Sequence, residues 1–121
     1  GERDDVERVL SAADIFCQPN ALPEPFGVAI IDGLYAGLPV VATDMGGPTD
    51  ILGGQGCGVL VPPGQPHAMA DALRALVKDA DRRRTMGALG PARAGELCDP
   101  AARLTQLHDV LRQVVASRSK R

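Results

Sequence analysis

The sequence predicts an α/β fold in which three parallel strands are flanked by helices, a partial Rossmann-like half-domain. Short apolar runs alternate with amphipathic helical segments, which is the pattern of a parallel sheet with helices on its faces. The three runs are continuously apolar, as expected of buried parallel strands. The chain has 121 residues, of which 45% are hydrophobic, so one small domain with a core is expected.

The first half of the chain is predicted as helix, strand, loop, helix and strand. An amphipathic helix, capped by Asp4 or Asp5, has its apolar residues at helical spacing: Val6, Val9, Leu10 and Ala13. A strand over 15–18 leads into a loop over 19–25, which three prolines keep out of a helix. The next helix is expected over 26–36, and a second strand over 39–43.

The second half is predicted to hold one more strand and mostly helix. A helical turn is expected over 49–52 and the third strand over 57–61. Pro66 suits the start of a helix, and a further helix is expected to end near Leu97. Asp99 caps the last helix, whose apolar face is made of Leu104, Leu107, Leu111 and Val114.

Composition excludes several classes of protein. With 13 basic against 15 acidic residues there is no basic excess to bind nucleic acid, and three aromatic residues are too few for a base-stacking surface. An odd number of scattered cysteines indicates neither a disulfide framework nor a zinc site. Cys17 lies in an apolar run and is expected to be buried.

The N-terminus is charged and lacks the apolar stretch of a signal peptide, and no apolar run is long enough to span a membrane. Together with reduced thiols, this predicts a cytoplasmic protein. The chain has no initiator Met and enters a helix almost at once. We therefore expect a fragment or a processed chain.

Two carboxylates accompany the helix predicted over 26–36, which is otherwise apolar nearly all round. Glu24 precedes its N-terminus and Asp32 lies inside it. Such a helix is expected to be buried, and a buried carboxylate needs a partner or a cleft that holds donors. Two interpretations of Asp32 remain open: a structural contact with a loop or an arginine, and a ligand contact.

The start of the same helix favours an anion. The amides of Phe26, Gly27 and Val28 are predicted to lack helical partners and to carry the positive end of the helix dipole. Gly27 lets a ligand approach the backbone, and the carboxyl end of the preceding strand is where open α/β sheets bind ligands. An anion site flanked by two carboxylates suits a diphosphate with hydroxyl-bearing sugars on both sides.

Residues 24–27 (E-P-F-G), with an acid eight positions after Glu24, resemble the E-x7-E motif of retaining GT-B glycosyltransferases of family 4, group 1. The surroundings resemble the same family in residues 12–16 (A-A-D-I-F), 36–43 (A-G-L-P-V-V-A-T), 46–51 (G-G-P-T-D-I) and 58–64 (G-V-L-V-P-P-G). The match is continuous from about Val6 to Leu76. It implies that residues 1–121 are the C-terminal part of a nucleotide-sugar-binding domain.

The resemblance also implies a role for each site residue. Glu24, the catalytic residue, would hold hydroxyls of the transferred sugar, and Asp32 would bind the ribose hydroxyls. The amides of Phe26, Gly27 and Val28 would contact the diphosphate or the sugar. The resemblance implies no metal. It implies no other cofactor either, because the nucleotide-diphosphate sugar is a substrate. Asp32 and Asp50 each replace a glutamate of the family's pattern, so the Asp32 carboxylate reaches one methylene less.

Two parts of such an enzyme are not found in this chain. One is the N-terminal acceptor domain, and the other is the set of first C-terminal strands that carry the basic residues for the leaving diphosphate. That positive charge supplies much of the catalysis, so the isolated chain is expected to be inactive. The alternatives are a non-catalytic orphan or interaction fragment that keeps the fold, and a nucleotide-sugar epimerase of the related non-transferring group.

Further partners follow from the same resemblance. The last helix would cross to the N-terminal domain, and the strand over 15–18 would pair with a strand not found in this chain. The open edge predicts self-association. Arg82, Arg83 and Arg84 leave two interpretations: peripheral contact with anionic lipid in the full enzyme, or a solvated helical face, which the neighbouring Asp79 and Asp81 favour.

Overall fold

A computed structural model of the chain describes residues 3–118, and its helices and strands follow the predicted order. The elements are α1 (Val6–Ser11), β1 (Phe16–Gln18), α2 (Val28–Tyr35), β2 (Val40–Thr43), α3 (Gly47–Leu52), β3 (Gly58–Val61), α4 (Pro66–Lys78), α5 (Ala80–Cys98) and α6 (Pro100–Arg118). The predicted fold class, three parallel strands flanked by helices, is confirmed.

The sheet runs in the order β1-β2-β3, and both pairs are parallel. Phe16 faces Val40 across the first pair, and Val40 faces Gly58 across the second. All four residues of β2 are buried, as the central strand of a covered sheet should be. Parallel strands end at the same edge, so the loops after β1, β2 and β3 meet there.

Alternation along β2 divides the core into two layers. Val40 and Ala42 pack on one face with buried residues of α2, α3 and α5, among them Ile30, Leu34 and Ile51. Val41 packs on the other face with Leu76 of α4 and Met86 of α5. Phe16 lies against Gly33, where an added Cβ would come 2.8 Å from the ring, so α2 approaches β1 closely.

Two predictions of burial were wrong. Cys17 is exposed, because β1 is an edge strand that pairs only with β2 in the described part of the chain. Its Sγ lies 3.7 Å from Sδ of Met69. Helix α2 is buried on one side only: Val28 is 63% exposed and Tyr35 52% exposed, because nothing among the described residues covers that side.

Helix α6 contributes little to the core. Its apolar residues are about half exposed or more, and they form the face predicted from the sequence: Leu104, Leu107, Leu111 and Val114. Asp99 caps the helix as predicted, since its Oδ1 accepts a hydrogen bond from the Ala101 amide at 3.0 Å. In residues 3–118, no helix is at once long and apolar enough to cross a bilayer.

Candidate functional site

The loop between β1 and α2 brings Glu24 to the carboxyl edge of the sheet. Glu24 forms an isolated parallel bridge with Gly46, which follows the end of β2. The Gly47 amide donates a hydrogen bond of 2.7 Å to the Glu24 carbonyl oxygen. The main chain of Glu24 is therefore fixed by the loop after the neighbouring strand, and its side chain is half-buried.

Glycines at positions 46 and 47 make this contact possible. A Cβ on Gly46 would lie 2.4 Å from the Glu24 carbonyl oxygen, and one on Gly47 would lie 1.9 Å from the Phe26 carbonyl oxygen. Both neighbours are backbone atoms, which cannot rotate away. The glycine pair, noted in the sequence only as part of a motif, is thus what lets the loop that carries Glu24 pack against α3.

Helix α2 begins two residues later than predicted. Gly27 is its N-cap, with φ of 101°, and its carbonyl oxygen accepts from the amides of Ile30 and Ile31 at 3.0 and 3.2 Å. The left-handed backbone of Gly27 keeps Phe26 outside the helix. None of the hydrogen bonds found among the described residues uses the amides of Phe26, Gly27 or Val28. Three consecutive amide donors at the start of α2 therefore have no hydrogen-bond partner among the described residues.

Asp32 lies on the exposed face of α2, so the carboxylate is not buried as predicted. The residues of this face, Val28, Asp32 and Tyr35, follow helical spacing on the side opposite the core. Asp32 borders a shallow hollow of about 740 Å³ between α1 and α2, whose lining includes Arg3 and Glu7. The Arg3 guanidinium makes two hydrogen bonds of 2.8 Å with the Asp5 carboxylate. Nowhere in residues 3–118 does Asp32 take part in an ion pair.

A second cavity, of about 280 Å³, opens at the same edge of the sheet on the side of α4. The lining includes Asn20 after β1, Thr43 at the end of β2, and Gln65 and Met69 around the start of α4. It holds no charged side chain, so Glu24 and Asp32 lie outside it. Across residues 3–118, no three metal-ligating side chains form a cluster.

Two side-chain contacts around α3 were not predicted. The Thr49 hydroxyl donates to Oδ1 of Asp44 at 2.7 Å, which joins the loop after β2 to α3. The Arg93 guanidinium in α5 donates to the carbonyl oxygens of Ile51 and Asp50 at 2.9 and 2.8 Å. Arg93 is more than 40 positions from these two carbonyl groups, and local sequence spacing carries no signal of such a contact.

The chain belongs to the family of glycosyl transferases group 1, whose model matches residues 1–93. It is similar to a phosphatidyl-myo-inositol mannosyltransferase of Mycobacterium leprae, with 35% identity over 99% of this chain and 32% of that protein. It is also similar to a probable sucrose-phosphate synthase 1 of Oryza sativa subsp. indica, with 51% identity over 54% of this chain and 6% of that protein. The chain thus spans a third or less of either relative.

Solved structures show the same fold. HepE of Anabaena in complex with UDP-glucose superposes with a TM-score of 0.82 and 26% identity over 93% of this chain and 31% of that one. Sucrose-phosphate synthase from Thermosynechococcus elongatus superposes with a TM-score of 0.77 and 32% identity over 90% of this chain and 27% of that one. The agreement covers nearly the whole of this chain, so its three strands and their helices form the same substructure as part of these larger proteins.

Proposed function

We propose that this chain is part of the nucleotide-sugar-binding domain of a retaining glycosyltransferase that transfers a hexosyl group to an acceptor. Family membership supports glycosyl transfer, and the complexes of HepE with UDP and UDP-glucose support a nucleotide-sugar donor. The observation that carries the proposal is that Glu24 and the three unused amides of Phe26, Gly27 and Val28 lie at the start of α2, with Asp32 further along the same helix.

The spacing along α2 suits the parts of such a donor. Val28 and Asp32 are four residues apart on the same exposed face, which is a rise of about 6 Å. A diphosphate at the N-terminal amides would be stabilised by their dipoles, and the ribose would extend along the helix to the Asp32 carboxylate. Each hydroxyl that donates to a carboxylate would contribute about 1.5–3 kcal/mol.

Glu24 is suited to the other end of the donor. Its bridge to Gly46 fixes its main chain directly before the amides, so its carboxylate would accept hydrogen bonds from the hydroxyls of the transferred sugar. In this proposal no metal takes part, because amides and the helix dipole offset the charge of the phosphates on this side. The basic residues that stabilise the leaving diphosphate would come from outside this chain.

Ligand-observed NMR with UDP-, GDP- and ADP-sugars tests the proposal. We expect one of these donors to bind, and Asp32→Ala to weaken that donor's binding about tenfold or more through the loss of charged hydrogen bonds. Asp109→Ala is the matched control, because Asp109 is an exposed aspartate on α6, far along the chain from the site. If none of the donors binds, the non-catalytic fragment becomes the better interpretation.

A further inference from the structure

Arg93 closes the C-terminal end of α3. Its Nε donates to the Ile51 carbonyl oxygen at 2.9 Å and its Nη2 to that of Asp50 at 2.8 Å. The side chain is 19% exposed, and its hydrogen bond to Ile51 is more buried than its hydrogen bond to Asp50. The last carbonyl groups of a helix have no amide partner within it. A guanidinium at this position donates to two of them and its positive charge opposes the negative end of the helix dipole.

The other end of α3 contacts the candidate site. The Gly47 amide, in its first turn, donates to the Glu24 carbonyl oxygen, and Cδ1 of Ile51 lies 3.2 Å from where a Cβ of Gly27 would be. Ile51 is 2% exposed. Ile51 therefore accepts a hydrogen bond from Arg93 through its carbonyl oxygen, and its side chain packs against Gly27, the N-cap of α2.

We propose that Arg93 is a positioning residue for the donor site, acting through α3 on Glu24 and Gly27. A helix of six residues is too short to be stable by itself, so its place depends on its buried side chains and on the contacts at its two ends. One end carries the Gly47–Glu24 hydrogen bond and the other carries Arg93. Loosening the second end is expected to loosen the first. The effect on donor binding rests on the proposed function, whereas the effect on α3 does not.

Amide hydrogen exchange of Gly47 tests the effect on α3. Arg93→Met keeps an unbranched stem but removes the donors, and we expect Gly47 exchange to be about tenfold faster or more. Amides of β2 are expected to keep their rates. Arg93→Lys, which retains a cation but not the two-pronged geometry, is expected to lie between.

Arg83→Met is the matched control. Arg83 also donates to two carbonyl oxygens at a helix end, through Nη1 to those of Leu76 and Val77 at the end of α4, at 2.6 and 2.9 Å. Its loss should leave Gly47 exchange unchanged. Unchanged exchange in Arg93→Met, or equal acceleration at Gly47 and in β2, would overturn the proposal.

Affinity for whichever of the UDP-, GDP- and ADP-sugars the wild-type chain binds, measured on the same variants, tests the consequence for the site. We expect Arg93→Met to weaken binding about tenfold, because displaced Glu24 would lose charged hydrogen bonds to the sugar, and Arg83→Met to leave it unchanged. Faster Gly47 exchange with an unaltered affinity would refute the positioning role. If the wild-type chain binds none of the UDP-, GDP- and ADP-sugars, that result counts against the proposed function, and the exchange data alone decide whether Arg93 holds α3 and Glu24 in place.

Discussion

At the scale of single residues, the site depends on backbone contacts more than on side-chain pairs. Glu24 is held through its carbonyl oxygen, and the space for that contact comes from Gly46 and Gly47. The Gly27 N-cap then ends the loop and starts α2. No hydrogen bond or ion pair among the described residues uses the carboxylates of Glu24 and Asp32, so in the proposed function both are available to a ligand that the glycines help to position.

Gly47→Ala should therefore disrupt this region. The added methyl group would lie 1.9 Å from the Phe26 carbonyl oxygen, so the two segments must move apart. We expect the free energy of unfolding to fall by about 1–3 kcal/mol, as for other overpacked sites. Gly95→Ala is the control in urea denaturation. Nothing lies near its added Cβ, so the same change should be neutral or stabilise by about 0.5–1 kcal/mol. An unchanged free energy of unfolding in Gly47→Ala would refute the close packing of α3 against the loop that carries Glu24.

At the scale of elements, α3 and the outer elements behave differently. Helix α3 is fixed at both ends and has fully buried Ile51 and Leu52, although it has only six residues. Helix α6 has 19 residues, yet its apolar face lies in solvent. Strand β1 has one paired edge and one edge without a partner among the described residues. Helix length therefore does not decide which elements are well packed here.

Self-association is predicted to occur through the outer edge of β1. Sedimentation should show the wild-type chain associating, and Cys17→Lys should reduce this, because a charge on an edge strand opposes pairing with another strand. The control replaces Leu107 and Leu111 of α6 with serine, which removes exposed apolar surface elsewhere. A strictly monomeric wild-type profile would count against the prediction, as would a reduction seen only in the α6 variant.

At the scale of the whole molecule, the sequence predicted the order of elements and their parallel pairing, because apolar runs and helical spacing are local signals. The first residue of α2 could not be predicted, since it depends on the left-handed conformation of Gly27. Exposure of Cys17 and Asp32 was missed because it depends on which neighbours are present. Arg93 was missed for the same reason: its partners lie in α3, far along the chain.

The proposal also places much of the catalytic machinery outside this chain. We expect no sugar transfer by the 121-residue polypeptide, because the charges that stabilise a leaving diphosphate would come from residues it does not contain. An assay with labelled nucleotide-sugar and a panel of acceptors checks this. Sugar transfer above the level of a Glu24→Gln control would contradict the proposal that essential catalytic residues lie outside this chain.

The most direct test of the central claim is a map of where a donor binds. In amide-resolved NMR titrations with UDP-, GDP- and ADP-sugars, we predict that the donor that binds causes the largest shifts at the amides of Phe26, Gly27 and Val28, with smaller shifts around Asp32. Glu24→Gln should reduce these shifts at equal ligand concentration. Shifts centred instead on the cavity lined by Thr43 and Met69, or the absence of any saturable shift, would contradict a donor site at the start of α2.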